Sequence, residues 1–173
     1  MSGRRVEGSG VILAIDPGTT GMGYAVLDPS RDPARLIDCG LVSPRRESTG
    51  EKLRAIADAL DDLIAVHAPA AVALERLYFN KNVRTAMAVA EARGVALLCA
   101  ARADVVVAEY TPQEVKLSVT GTGGADKRQV QRMVATILAL SDPIAQDNVA
   151  DAVAIALTHA RRARWQQVIA AAT

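Results

Sequence analysis

Nine consecutive residues near the C-terminus, Val149-Ala150-Asp151-Ala152-Val153-Ala154-Ile155-Ala156-Leu157, hold a single polar side chain, and it is a carboxylate. They read as part of a helix running roughly from Gln146 to Arg164. A helix segment with almost no other polar residue should be buried. Asp151 is then carried into the interior. Burying an isolated carboxylate is unfavourable unless it is paired or bound to a cation, and no Arg or Lys stands beside Asp151 in the sequence. The fold must bring its partner from elsewhere.

Two further carboxylates end apolar runs. Asp16 follows Ile12-Leu13-Ala14-Ile15 and opens an Asp-Pro-Gly turn, and Glu75 follows Val72-Ala73-Leu74. Asp147 and Asn148 stand four and three residues before Asp151 and project on its helical face. Read singly, Asp16 is equally a turn carboxylate, Glu75 a surface residue at a strand end, and Asp147 a helix N-cap. Asp151 has no such local reading. A divalent cation is the simplest way to hold several such groups together. An oxygen-only ligand set without a Cys or His cluster favours Mg²⁺ or Mn²⁺ over Zn²⁺.

Apolar runs bounded by turn residues predict strands over 11–15, 23–27 and 36–42, an antiparallel meander. Ser48 with Glu51 is a capping box for a helix stopped by Pro69. Strands are predicted over 71–74 and 105–108, and helices over 85–102 and from Asp126, before the last helix. The order implies an α/β fold: a mixed five-stranded sheet, antiparallel meander plus parallel strands, flanked by helices. Residues 1–10 read as a flexible lead-in, 11–164 as one domain and 165–173 as a tail. Aromatics make up only 3% of the 173 residues, so the core must come from Ala, Val, Leu and Ile. Cys39 and Cys99 lack metal-site spacing and read as buried free thiols. Neither a secretion signal nor a membrane-spanning run is legible, which makes the cytoplasm the expected compartment.

A net charge of +1 does not announce a nucleic-acid binder. Any such surface must be a local basic patch. Lys81 and Arg84 follow Glu75, Lys116 follows the fifth strand, and Lys127, Arg128 and Arg132 crowd a helix start, where backbone N–H groups also favour phosphate. Tyr78 and Phe79 sit just past Glu75, where an aromatic can stack on an unpaired base or pack in the core. The helix from Thr85 is apolar on more than one face, which suits burial on its own sheet and in a two-fold interface alike. Gly121-Thr122-Gly123-Gly124 is a weak phosphate-loop signal.

These residues resemble the RuvC family of Holliday junction resolvases, in the RNase H-like superfamily. The resemblance is carried by Ile12 to Gly18 with Gly21 to Ala25, by Ala73 to Asn82, by Ala90 to Val95, by Gln113 to Lys116, by Ala125 to Gln131 and by Asp147 to His159, in family order across residues 11–160. It implies an RNase H-like fold and a homodimer that nicks two opposed strands of four-way junction DNA. It implies Asp16, Glu75 and Asp151 as catalytic metal ligands for two Mg²⁺ or Mn²⁺ ions, with a branch-migration motor as partner. Lys116 and Lys127 match basic positions near the scissile phosphate, and Tyr78 the position of a junction-wedging aromatic. Family members usually carry Asp or His where this chain has Asn148, so Asn148 or Asp147 stands as the fourth ligand. Two other readings stand beside it. One is a junction-binding protein with a weakened site. The other is the phosphate loop of actin-like sugar kinases, which Asp16-Pro17-Gly18-Thr19-Thr20-Gly21 also resembles.

Overall fold

The computed structural model describes residues 10–18, 21–44, 48–76 and 83–171, with the side chains of 83–85 outside that description. Strands β1 (Ile12–Pro17), β2 (Met22–Asp28) and β3 (Arg35–Val42) lead into α1 (Thr49–His67), β4 (Ala71–Glu75), α2 (Val83–Arg102) and β5 (Val106–Tyr110). Helices α3 (Pro112–Thr120), α4 (Lys127–Ile137) and α5 (Asp147–Ala171) complete the described chain. The five strands form one sheet in the order β3-β2-β1-β4-β5. β1 pairs antiparallel with β2 and parallel with β4, β2 antiparallel with β3, and β4 parallel with β5. This is the expected mixed sheet.

Central placement explains why β1 is buried along its whole length. Its side chains alternate between two cores, as the strand period requires. Ile12 and Ala14 join one cluster with residues of α3, α4 and α5, while Leu13 and Ile15 join the other with α1 and α2. Small residues let α5 come down close on the sheet. A Cβ added to Gly23 of β2 would lie 2.0 Å from the backbone oxygen of Asn148, a contact only glycine permits.

The Ser48–Glu51 capping box starts α1 as expected. That helix ends at Ala68, in a left-handed conformation, one residue before Pro69. Three elements differ from the sequence expectation. Helix α3 was not anticipated: its buried stripe is only Val115 and Val119, too short for periodicity to register. β5 lies later than expected, because its ladder with β4 continues as far as Glu75 opposite Tyr110. α5 continues to Ala171, since Arg164 to Ala171 contains no Gly or Pro to stop it. The two thiols are unpaired, with Cys99 buried and Cys39 only partly so.

Candidate active site at the ends of β1 and β4

Strand parity decides where the acids point. Asp16 continues the Ile12–Ala14 face of β1, and Glu75 continues the Ala73 face of β4. The β1–β4 ladder runs through Ile15 opposite Leu74, so the two acids follow one step later on neighbouring strands. Both therefore face the layer that holds α5. Asp151 arrives from above on the first turns of α5, whose start is held against Gly23, the β2 partner of Asp16.

The electrostatics record the convergence. Asp16 is buried, and burial, followed by repulsion from Glu75 and Asp151, pushes its pKa up to about 8. Burial and then Asp151 raise Glu75. Burial also raises Asp151, with Asp147 adding to it and Lys127 and Lys116 opposing. Lys127 is the cation that eases all three. Its ammonium lies 3.2 Å from Asp147 and 3.9 Å from Asp151, and its pKa is raised, chiefly through the hydrogen bond to Asp147.

One buried and two half-buried carboxylates that repel one another, with no sulfur or imidazole in the set, fit a hard divalent cation. Asp16, Glu75 and Asp151 are the residues that would hold it. They stand as an open cluster: among the described residues no three His, Cys, Asp or Glu side chains close on one point as a ready cage.

The adjacent polar pair is divided between two other neighbours. Asp147 accepts from Lys127 through Oδ2 and from Gln131 Nε2 through Oδ1 at 3.0 Å. Asn148 donates from Nδ2 to the Gly21 carbonyl at 2.9 Å, stapling α5 to the β1–β2 turn. Gln131 escaped notice in the sequence, although it lies four residues after Lys127 on the same face of α4. Lys116, on α3, acts on Asp151 by charge alone. Arg128 is exposed on the first turn of α4. Tyr78, Phe79 and Lys81 lie outside the described residues, as does the side chain of Arg84. The Gly121–Gly124 segment is a helix end, with Gly121 left-handed at the C-cap of α3.

Farther along α5, His159 Nδ1 lies 2.8 Å from the Tyr110 hydroxyl, and Arg162 stands over the Tyr110 ring. Burial, helped by the Arg162 charge, lowers the His159 pKa. The pair ties α5 to the end of β5.

A mixed sheet with an antiparallel meander, two further parallel strands and acids at the ends of β1 and β4 beneath a helix defines an RNase H-like nuclease. The family described as crossover junction endodeoxyribonuclease RuvC matches residues 12–159, and the chain belongs to this family. A RuvC of Pelotomaculum thermopropionicum is 43% identical, the alignment covering 91% of this chain and 96% of the relative. One of a Roseiflexus species is 46% identical over 85% and 88%. The solved structure of Thermus thermophilus RuvC in complex with Holliday junction substrate superposes with a TM-score of 0.84 at 35% identity, covering 90% of this chain and 96% of that one. The match across residues 12–159 sets aside the sugar-kinase phosphate loop.

Proposed function

We propose that this protein is a structure-selective endonuclease that resolves four-way DNA junctions by paired symmetric nicks, in recombination and repair. The carrying observation is the meeting of Asp16, Glu75 and Asp151 from two strands and a helix, with Lys127 beside them. Asp16, Glu75 and Asp151 hold Mg²⁺ or Mn²⁺, two ions per site. When bound, such ions polarise the attacking water and stabilise charge on the leaving 3′ oxygen. The protein's own part is to keep the acids together against their repulsion, exclude bulk water around Asp16, and present Lys127 to the scissile phosphate. Asp147, itself held by Gln131, keeps Lys127 in that place. Lys116 adds positive charge along the strand path, and Tyr78, Phe79, Lys81, Arg84 and Arg128 extend the DNA contact.

A four-way junction has two-fold symmetry, and two opposed nicks call for two sites related by the same symmetry. Helix α2 supports a homodimer. Met87 and Leu98 are 60% and 52% exposed on one face of it, with exposed Ala90 and Gly94 between them. A branch-migration motor is the natural partner of such a dimer, and the cytoplasm its place of work. Among the described residues no helix is long and apolar enough to cross a membrane.

Incubation of the protein with a synthetic four-way junction, separately with Mg²⁺ and with Mn²⁺, tests the reading. Symmetric paired nicks with 5′ phosphate and 3′ hydroxyl ends are expected. Binding without cleavage in either cation would convert the reading to a junction-binding protein with a weakened site.

A further inference from the structure

Helix α5 outruns the sheet beneath it. Its 25 residues rise about 1.5 Å each, roughly 37 Å in all. The longest strand, the 8-residue β3, covers roughly 26 Å at about 3.3 Å per residue. The helix is buried from Val149 to Leu157 and largely exposed from Arg161 onward. The uncovered end is nevertheless not wholly polar. Trp165, Val168 and Ile169 are 63%, 59% and 61% exposed. Arg161, Arg164, Trp165 and Val168 fall within about 100° of one another around the helix axis, so the apolar stripe and two guanidinium groups share one face.

Concave surface adjoins that face on both sides. Leu117 of α3, 57% exposed, and Trp165 line an apolar groove of about 340 Å³ that reaches Tyr110 and Thr158. Arg161 also lines a second cavity, of about 500 Å³, together with Arg164 and with Arg31 from the β2–β3 turn. Arg164 has no ion-pair partner among the described residues, and the one described bond of Arg161 is to the Ser118 carbonyl. Exposed apolar surface of this kind marks interaction sites, and Trp and Arg are the residues on which interface energy concentrates.

The chemistry selects among occupants. A second copy would oppose this face to itself; Glu114, the acid that lines the groove, is paired with Arg162, so Arg161 and Arg164 would meet like charges. A DNA arm would satisfy the arginines and leave the apolar groove unfilled. The groove also stands about 14 residues, roughly 21 Å of helix, from Asp151, and the arginines and tryptophan lie beyond the stretch that matches the family. We propose that the end of α5, with α3, docks an acidic protein segment, whose carboxylates meet Arg161 and Arg164 while an apolar side chain enters the groove between Trp165 and Leu117.

Trp165 is the chain's single tryptophan and reports on its own groove. The full chain is titrated with a synthetic peptide carrying a Leu-Phe pair flanked by aspartates, with versions in which lysines replace the aspartates or serines the Leu-Phe pair. A saturable blue shift of the emission is expected with the first peptide alone. Its affinity should fall at least about tenfold in Arg164→Glu and again in Val168→Ser, both exposed positions. Junction cleavage by these variants should equal that of the parent. An absent shift, an equal shift with the lysine version, or a shift produced by duplex DNA, by anionic vesicles or by raising the concentration of the protein alone would each overturn the proposal.

Discussion

Asp16 carries a charge problem that the metal-free protein meets by holding a proton. In an unfolded chain its carboxyl titrates near 3.8, and in the fold near 8. Between those values the folded state holds a proton that the unfolded state has released. Stability is therefore fullest below about pH 4 and falls as pH rises toward about 8, by up to about 1.4 kcal/mol per pH unit. At pH 7 the full shift amounts to about 4 kcal/mol, and relaxation with water entry reduces the effect to about 2 kcal/mol. Asp16→Asn removes the titration while keeping nearly the same volume. In chelator at pH 7 the variant should be more stable than the parent by about 2 kcal/mol, a melting temperature about 4–8 °C higher, and its stability should lose the falling limb. Urea unfolding at a series of pH values from about 5 to about 8 measures both. Added Mg²⁺ should stabilise the parent by selective binding to the folded state, stabilise the variant far less, and support no junction cleavage by it. A parent whose stability rises with pH over this range, or a variant weaker than the parent in chelator throughout, would refute the picture of a buried acid held in a repulsive cluster.

Other perturbations test the supporting parts. Gly23→Ala puts a Cβ 2.0 Å from the Asn148 oxygen, a backbone contact that cannot swing aside, so α5 must lift. A loss of about 1–3 kcal/mol is expected in urea unfolding, and no loss would refute the close approach. Asn148→Asp replaces the donor to the Gly21 carbonyl with an acceptor, which in chelator should cost about 1–3 kcal/mol; equal stability in urea would show that the staple carries no weight. Lys127→Met removes the cation that lowers the pKa of Asp16, Glu75 and Asp151, so carboxyl midpoints followed by carbon NMR in chelator should move to higher pH. Midpoints that stay in place would detach Lys127 from the site. Leu98→Glu places a charge on the exposed face of α2; if α2 forms the proposed homodimer, sedimentation should report dimers for the parent and monomers for the variant.

The acids were legible singly because each breaks a local rule. Asp16 and Glu75 close apolar strands, and Asp151 is the one polar residue in the stretch from Val149 to Leu157. Their meeting needed more than local pattern. It follows from parity, which puts Asp16 with Ala14 and Glu75 with Ala73, and from the β1–β4 register, which no single strand contains. Helix α3 escaped for the opposite reason. Its capping box, Thr111 with Glu114 and a proline at the start, was in plain view, but two buried valines made too small a stripe for the expected order of elements to include it.

The choice between Asp147 and Asn148 shows where reading along a chain runs out. The two are neighbours, and an α-helix turns about 100° between neighbours. That angle sends Asp147 toward α4, where Lys127 and Gln131 take both of its oxygens, and Asn148 toward the β1–β2 turn, where its amide meets the Gly21 carbonyl. Both lie within one turn of Asp151, so spacing alone offers each as a further ligand. The elements packed on either side of α5 set the neighbours of each side chain, and those arrive from residues more than a hundred positions away as well as from the helix just before.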